Sequence, residues 1–473
     1  MNGNDIAWLS AVELLSAYRA RTLSPVEATQ AVLKRAAELN PVLNAFCLID
    51  PEAALASARA SEARWRKGEP IGLLDGVPVS VKDIILTKGW PTLRGSRTVD
   101  PNQPWEEDGP SVARLRERGA VLFGKTTTPE FTAKAVTRSP LTGTTVNPWD
   151  TSRTPGGSSG GAGAAVASGI GPMALATDAG GSIRLPASFC GVFGHKPGGG
   201  RVPMYPSTPY ATLAGFGPMT RTVGDAALMM SVIAAFDPRE WGILPPDGTR
   251  YHEQLEADPR AWRIAWSPTL CGAVVDPEIA ALTERAAQAF AAMGAMVETV
   301  EKVFGDPLPT MEKFQKGLTR FAFRDMGEKQ FAIMDPDLVA TIRASQDASL
   351  IDHLEAEMER AALGRRMIAF HQTYDLLLTP TVGVPPFSAD LDRPEGAVGK
   401  SWYPFTCPFN LTRQPAASVP CGFTSDGLPV GLQIVGPPHR DLLVLQASYA
   451  FEQARPWRDS RPAVADQNRG QRS

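Results

Sequence analysis

The sequence lacks the features that mark several large classes of protein. Its five cysteines are scattered over 473 residues and form no CxxC pair, so neither a disulfide framework nor a zinc ribbon is indicated. The five histidines include no HExxH motif and no pair at helical spacing, so we expect no metal and no other cofactor. The longest apolar run, residues 226–236, is far shorter than the roughly 20 residues that a membrane helix needs.

Neither positive nor negative charge predominates in the sequence. Lys+Arg number 47 against 50 for Asp+Glu, the net charge is −3, and no basic run stands out, so we expect no nucleic-acid partner. The first residues show no basic segment followed by an apolar core, so no signal peptide is predicted. Together with the unpaired cysteines, these absences predict a cytoplasmic protein without a membrane partner.

Short apolar runs bounded by glycine alternate with helical stretches. Residues 77–81, 120–123 and 173–177 predict strands, and residues 111–118 predict a helix between them. This alternation is typical of an α/β sheet with helices on both faces. Nearer the start, Ser24-Pro25-Val26-Glu27 is a capping box that predicts a helix, and Asn40-Pro41 predicts its end.

Two apparent motifs do not fit their surroundings. Residues 119–126 match the P-loop pattern, but the middle of the match is a predicted strand and not a mobile loop, so phosphate binding is not indicated. The G-x-S-x-G pattern occurs around Ser158 and Ser159, where a nucleophile elbow would need a preceding strand. Residues 147–155 are loop-like instead, and none of the histidines lies in a segment that would complete a triad.

Three other segments carry residues suited to nucleophilic catalysis. Lys82 ends the apolar run 77–81, and Ser158 lies in a Gly-Gly-Ser-Ser-Gly-Gly sequence. In the third segment a predicted strand ends at Asp178, and a Gly-Gly turn then delivers Ser182 to the start of a helix. Such a turn exposes successive backbone N–H groups, as an oxyanion hole requires.

A lysine could serve such a site as a base only if it is buried. An amide resists attack, so a serine hydroxyl needs a base to activate it. A free lysine has a pKa of about 10.4 and is charged at pH 7. Burial lowers that pKa because it disfavours the charged form. A neutral Lys82 could accept a proton and later return one to the departing nitrogen.

Together, the three segments resemble the amidase signature family. The resemblance includes the motifs G-V-P-x-x-x-K, G-G-S-S-G-G and D-x-G-G-S-I-R-x-P-A in this order, with the second serine 24 positions after the first (182 − 158). It continues through residues 190–197 and 217–219, resumes at 378–381 and 427–433, and is weak between 238 and 370. His195 stands where many members have Leu before the Lys-Pro, and we treat it as a structural neighbour of the site.

The resemblance implies one domain, with a large mixed sheet flanked by helices on both faces, and it assigns roles to residues. Ser182 would be the nucleophile and Lys82 the base. Ser158, joined to Gly157 by a cis peptide bond and within hydrogen-bond reach of both, would relay the proton. The backbone N–H groups of four residues would bind the oxyanion: Ala179, Gly180, Gly181 and Ser182. Four more residues would support the site: Gly157, Ser159, Asp178 and Arg184.

We therefore predict that residues 1–473 form one amidase domain. Residues 71–236 and 375–455 would be its catalytic core, and residues 1–68 its N-terminal helices. Residues 238–370 would be a divergent helical region that shapes the substrate pocket. There, Phe314, Leu318 and Phe321 are equally typical of a helical core and of an aromatic pocket, and we predict the pocket.

The predicted function is hydrolysis of amide-type C–N bonds through an acyl-enzyme on Ser182. The chain broadly resembles the branch of the family that includes aryl-amide, nylon-oligomer and urethane hydrolases, so aryl amides are the favoured substrates, with carbamates as further ones. Two alternatives remain open: the amidase component of a tRNA-dependent amidotransferase, and a catalytically inactive scaffold. The intact Lys–Ser–Ser set argues against the scaffold. We expect a monomer or a homodimer.

Overall fold

The computed structural model describes residues 3–208, 210, 212–397, 399 and 401–466. Its strands are β1 (Phe46–Ile49), β2 (Pro78–Lys82), β3 (Val121–Thr126), β4 (Arg138–Ser139), β5 (Gly143–Thr144), β6 (Met173–Asp178), β7 (Phe193–Lys196), β8 (Gly215–Thr220), β9 (Arg263–Trp266), β10 (Met296–Thr299), β11 (Leu376–Pro380), β12 (Ala416–Phe423) and β13 (Pro429–Val435).

Helices flank these strands along the whole described chain. They are α1 (Gly3–Ala7), α2 (Ala11–Ala20), α3 (Pro25–Leu43), α4 (Pro51–Lys67), α5 (Pro110–Glu117), α6 (Gly160–Ala167), α7 (Arg184–Cys190), α8 (Val223–Ile233), α9 (Pro277–Ala292), α10 (Leu308–Ala322), α11 (Glu328–Phe331), α12 (Pro336–Ala344), α13 (Leu350–Phe370), α14 (Pro408–Leu411), α15 (Asp441–Ala454) and α16 (Ala463–Asp466). Single 3₁₀ turns lie at Glu130–Thr132, Tyr251–Glu253 and Pro259–Ala261.

One sheet of eleven strands organises the molecule, in the order β1-β3-β2-β6-β8-β7-β12-β13-β11-β9-β10. β2 lies between β3 and β6 and is parallel to both, whereas β6–β8, β7–β8 and β12–β13 are antiparallel pairs. β4 and β5 form a separate two-stranded pair. The α/β fold predicted from the sequence, with a large mixed sheet flanked by helices, is confirmed.

The two faces of β6 carry side chains of different size, which decides how closely helices approach. Met173 and Leu175 point into the main core with residues of α8, whereas Ala174 and Ala176 pack with residues of α6 and α7. Successive side chains of a strand point to opposite faces. Every residue of α6 is buried, and its small side chains allow close packing. The Gly- and Ala-rich residues 160–167 therefore form a closely packed helix.

Two expectations about boundaries are wrong. α3 begins at the predicted capping box but continues to Leu43, with Pro41 inside its last turn. A proline there removes only one N–H donor near the helix end, and the Asn40 side chain accepts hydrogen bonds from Ala45 and Phe46 beyond it. Within residues 238–370, β9 and β10 join the main sheet beside β11, so this region is not wholly helical. Four-residue strands are too short to reveal a period in the sequence.

No helix in the described part of the chain is long and apolar enough to cross a membrane.

Candidate active site

The sheet brings two of the predicted site segments to the same edge. β2 and β6 are neighbouring parallel strands, and they end at Lys82 and Asp178 respectively. The carboxyl ends of parallel strands are where open α/β sheets bind ligands. The Ser159 backbone N–H donates a hydrogen bond to the Ser182 carbonyl (3.2 Å), which joins the two serine segments above this edge.

Lys82 has an unusual environment for a cation. It is fully buried, and its Nζ lies 2.7 Å from Ser158 Oγ, 2.8 Å from Ser159 Oγ and 2.9 Å from Thr177 Oγ1. Among the residues that the structure describes, no carboxylate forms a salt bridge with it. Burial lowers the pKa of Lys82 well below its ordinary value, and the charge of Asp178 opposes this shift only in part. The arrangement favours the neutral amine.

Ser158 immediately precedes Ser159, the N-cap of α6, and its hydroxyl contacts Lys82. The Gly157–Ser158 peptide bond is cis, as predicted. A side chain at position 157 would lie 2.6 Å from backbone atoms of Val136, so only glycine fits there. Ser159 is held on its other side, because its hydroxyl donates to the Thr177 carbonyl at 3.1 Å.

Ser182 lies at the turn before α7 and is partly exposed. Within the described chain its hydroxyl makes no hydrogen bond to Ser158, so only the Lys82 half of the predicted pair of contacts is present. Open space lies beside the turn, since a Cβ added to Gly180 would meet no atom within 4 Å. The site is therefore accessible at the hydroxyl while its lysine is closed off from solvent.

The predicted oxyanion groups fall into two sets. The backbone N–H of Gly181 donates to Asp178 Oδ1 at 2.8 Å and is therefore engaged. The N–H groups of Ala179, Gly180 and Ser182 make no hydrogen bond to any residue in the described ranges. Free N–H groups next to open space are what an oxyanion needs, so three of the four predicted donors can serve in this structure.

Asp178 and Arg184 form a buried ion pair that fixes this turn. Arg184 Nε and Nη2 each lie 2.9 Å from the Asp178 carboxylate, which also accepts from the backbone of Gly181 and Ile183. Burial would raise the pKa of Asp178, but the Arg184 charge and these hydrogen bonds hold it well below its usual range. The pair is thus ionised and acts as a rigid support.

Four residues around the site were not identified from the sequence: Thr177, Thr406, Asn410 and Gln433. Arg184 donates to the Thr406 carbonyl, to Asn410 Oδ1 and to Gln433 Oε1. Thr177 and Gln433 lie within or beside the segments that carry the family resemblance. A polar residue in such a segment could have indicated a contact with the site. Thr406 and Asn410 belong to no motif, and only the fold brings them here.

Two of the three predicted pocket residues share one hydrophobic cluster, and the third lies at the surface. Phe314 is buried between His353 and Arg360, Leu318 is half-buried in the same cluster, and Phe321 is exposed beneath the Arg324 guanidinium. Their role in substrate binding stays a prediction.

A cavity of about 610 Å³ is lined by residues 98–100 and 103–107. Arg94, Phe131 and Met326 line it, and the Phe131 ring contacts Phe323 at 5.3 Å between centroids. Within residues 238–370, Met326 is thus a lining residue of a cavity, a place that the sequence did not indicate.

Among the described residues, no group of three or more His, Cys, Asp or Glu side chains is arranged to hold a metal ion. His195 is fully buried and lies 3.2 Å from Asp441, on β7 and away from Lys82 in the sheet order. Within the described chain, its side chain makes no hydrogen bond to the three site segments, which suits the structural role expected for it.

Comparison with known proteins gives a consistent result over nearly the whole chain. A family model described as Amidase matches residues 27–445. An acylamidase of Rhodococcus erythropolis is 35% identical over 474 residues, covering 98% of this chain and 99% of that protein. A glutamyl-tRNA(Gln) amidotransferase subunit of Chloroflexus aggregans is 36% identical over 486 residues, covering 98% and 99%.

Solved structures agree with these relatives. A bacterial aryl acylamidase of the amidase signature family superposes with a TM-score of 0.87 at 32% identity, covering 95% of this chain and 97% of that one. A 6-aminohexanoate cyclic dimer hydrolase in complex with substrate gives a TM-score of 0.86 at 28% identity, with coverage of 97% and 99%. The chain therefore belongs to the amidase signature family of amide hydrolases.

Proposed function

We propose that this protein hydrolyses small aryl amides, with Ser182 as nucleophile, Ser158 as proton relay and Lys82 as base. The observation that carries the proposal is the environment of Lys82: a buried amine in contact with three hydroxyls and no carboxylate. Burial without a carboxylate partner favours the neutral form of the amine, and a neutral amine is a base.

The hydrogen bonds suggest how the proton moves. A neutral amine has two N–H donors and one lone pair, whereas a hydroxyl both donates and accepts. The Ser159 hydroxyl already donates to the Thr177 carbonyl, so it can only accept from Lys82. If Thr177 Oγ1 accepts the second N–H, the lone pair of Lys82 faces Ser158. Ser158 can then give its proton to Lys82 while it accepts the proton of Ser182.

The reaction follows in two stages. Ser182 Oγ attacks the carbonyl carbon, and its proton passes through Ser158 to Lys82, while the N–H groups of Ala179, Gly180 and Ser182 stabilise the oxyanion. The ammonium of Lys82 returns a proton to the departing nitrogen, which leaves as a neutral amine. Water then hydrolyses the acyl-enzyme by the same relay. The Ser158–Ser182 contact forms once the Ser182 rotamer turns, since catalytic hydrogen bonds are often incomplete without substrate.

Two relatives support amides as substrates. The acylamidase at 35% identity supports amide hydrolysis, and the aryl acylamidase structure with a TM-score of 0.87 favours aryl amides. Carbamates share the planar C–N bond and the carbonyl oxygen that the oxyanion donors would bind. An apolar site discriminates such isosteres by only about 10²-fold. We therefore expect slower but measurable hydrolysis of aryl carbamates.

Covalent labelling tests the nucleophile. A fluorophosphonate probe should modify Ser182 and leave Ser158 and Ser159 unmodified, as mapped by mass spectrometry of peptides. Ser182→Ala should lower kcat by about 10⁴-fold or more while the protein stays folded. An adduct on another serine would remove this assignment.

The similarity to an amidotransferase component supports a second candidate function, in which the chain would release ammonia from glutamine for a partner protein. The purified chain alone distinguishes the two. Hydrolysis of a chromogenic anilide without ATP, tRNA or partner, and without any effect of EDTA, would favour the independent hydrolase. Activity confined to glutamine and to a complex with partner and tRNA would favour the amidotransferase. No turnover of either kind would leave the inactive scaffold.

A further inference from the structure

Helix α13 has one face that packs on the protein and one that faces solvent. Ala356, Arg360 and Met367 are buried on its inner face. The outer face is apolar to an unusual degree, with Leu350 71% exposed, Ile351 64%, Leu354 50%, Met358 68% and Ile368 53%. Monomeric proteins rarely expose apolar side chains side by side in this way unless a partner covers them.

The exposed residues repeat with the period of a coiled coil. Six outer residues, which we call the outer seam, follow one another at steps of 3, 4, 3, 4 and 3: Ile351, Leu354, Met358, Ala361, Arg365 and Ile368. All six are exposed. Alternating steps of three and four place side chains in one line along a helix, which is the seam that two helices share when they pack together.

We propose that the outer seam is a homodimer interface, in which α13 packs antiparallel against α13 of a second copy around a two-fold axis. This pairing places Ile351 opposite the partner's Ile368, Leu354 opposite the partner's Arg365, and Met358 opposite the partner's Ala361. Each large side chain near the dyad then meets a small one. A two-fold interface must be self-complementary in this manner, because the same residues form both halves.

The charges on α13 favour a second copy of the chain as the partner, and they favour antiparallel packing. Arg365 is the one charged residue of the outer seam, and it makes no salt bridge or hydrogen bond with any residue in the described part of the chain. Antiparallel pairing sets it beside the partner's Glu355, with its aliphatic stem on the partner's Leu354. Parallel pairing would instead set Arg365 against the partner's Arg365, which is unfavourable.

Glu355 can make this contact without leaving its present partner, Lys313, unpaired. It lies 3.2 Å from Lys313 on α10, but the same Lys313 is closer to Glu359, at 2.9 Å. Lys313 therefore keeps a carboxylate partner when Glu355 turns to the second copy. The two-fold axis repeats each interaction, so the dimer holds two Arg365–Glu355 pairs.

The interface is short, which sets the strength that we expect. The outer seam covers residues 351–368, about 27 Å of helix at about 1.5 Å per residue. Interfaces of this size give reversible association and not permanent dimers. Sedimentation equilibrium of the purified full chain between about 1 and about 200 μM should therefore show a monomer–dimer equilibrium in the micromolar range.

Charge introduced into the seam tests its location. Leu354→Glu and Met358→Glu should each weaken dimerisation at least about 10²-fold, since each change occurs twice in the dimer and puts like charges into an apolar seam. Val274→Glu is the matched control: Val274 is also highly exposed but lies outside α13, and dimerisation should not change. Anilide hydrolysis should persist in all three variants, which shows that they fold. Dimers that survive Leu354→Glu and Met358→Glu would overturn the proposal.

A charge swap tests the direction. Glu355→Arg and Arg365→Glu, each alone, should be monomeric at concentrations where the wild type dimerises. In an equimolar mixture of the two variants, positions 355 and 365 carry opposite charges at both contacts of a mixed dimer. A heterodimer should therefore form. A mixture that stays monomeric would overturn the antiparallel pairing. A wild-type chain that stays monomeric up to about 200 μM would show that a second copy does not cover the outer seam. The partner of this face would then be a different protein.

Discussion

Two fully buried lysines lie at the ends of adjacent parallel strands, and their partners differ. Lys82 on β2 contacts three hydroxyls. Lys125 on β3 pairs with Val81, one position before Lys82, and its Nζ lies 3.1 Å from the Asp83 carboxylate. Burial lowers the pKa of both lysines, but at Lys125 the charge of Asp83 opposes the shift in direct contact.

Burial alone therefore does not mark a catalytic lysine; the partners of the amine decide its role. Asp83 also accepts from the backbone N–H groups of Leu93 and Gly95, and Lys125 donates to the Ile85 carbonyl and to Thr92. This ion pair ties the loop after β2 to β3. Lys82 contacts no carboxylate in the described chain, which favours the neutral amine that the proposed base requires. Lys125 at the end of β3 is thus a structural lysine, whereas Lys82 at the end of β2 is a candidate base.

The largest expected effect comes from replacing the candidate base by another cation. Lys82→Arg should lower kcat/KM for an anilide by at least about 10³-fold, because a guanidinium stays protonated and cannot accept the proton. Lys82→Met should be equally inactive, and steady-state rates of both purified variants check this. Retention of most activity by Lys82→Arg would show that the base is a different group and would erase the functional difference between the two lysines.

The second effect is on stability, and we expect it to differ between the two lysines. Lys125→Met leaves Asp83 buried without its partner and should lower the free energy of unfolding by about 3–5 kcal/mol. Lys82→Met removes a buried amine that has no counter-ion, so at neutral pH it should leave stability unchanged or raise it. Differential scanning calorimetry of both variants measures the contrast, with Asp83→Asn/Lys125→Met expected to recover part of the loss.

The lowered pKa of Lys82 sets the pH window of this contrast. The unfolded pKa is about 10.4, so between the folded and unfolded values the unfolded chain binds the additional proton. Stability therefore rises with pH across this window. The advantage of Lys82→Met over the wild type should shrink as pH approaches 10.4. An advantage that grew with pH would contradict a lowered pKa at Lys82.

How much of this contrast the sequence could predict depends on distance along the chain. Lys82, Ser158 and Ser182 lie in continuous motifs, and the alternation of strands and helices indicated the α/β sheet that carries them. Arg184 was identified in the same way, but its partner Asn410 lies 226 positions later. Local patterns contain no information on such pairs, because only the packed sheet brings them together.

Lys125 shows the same limit more sharply. Its segment matched a nucleotide-binding pattern that the sequence itself ruled out, yet nothing in the sequence showed that Asp83 is its partner. The strand register creates that pair, since β2 and β3 align Val81 with Lys125. The short strands β9 and β10 were missed for a related reason: they are fixed by their neighbours in the sheet and not by their own composition.

The third effect is a pH dependence of activity. Only the neutral form of Lys82 can accept a proton, so kcat/KM should rise about tenfold per pH unit below the folded pKa of Lys82 and level off above it. Rates across the pH range in which the protein stays folded measure the profile. Lys125 takes no part in proton transfer, so the milder variant Lys125→Arg should leave the shape of the profile unchanged. A shifted inflection in Lys125→Arg would mean that the two amines are coupled.

The smallest effect concerns one hydroxyl at each lysine. Thr177 Oγ1 lies 2.9 Å from Lys82 Nζ, and valine matches threonine in shape without the hydroxyl. Thr177→Val should lower kcat about tenfold with little change in KM, because one hydrogen bond of about 1 kcal/mol no longer orients the amine. Thr177→Ser should restore the rate. Thr92→Val removes the corresponding hydroxyl from Lys125 and should lower Tm while kcat stays unchanged. Equal losses of kcat in the two valine variants would mean that both hydroxyls act only through stability. Such a result would contradict a special role for the hydroxyl beside Lys82.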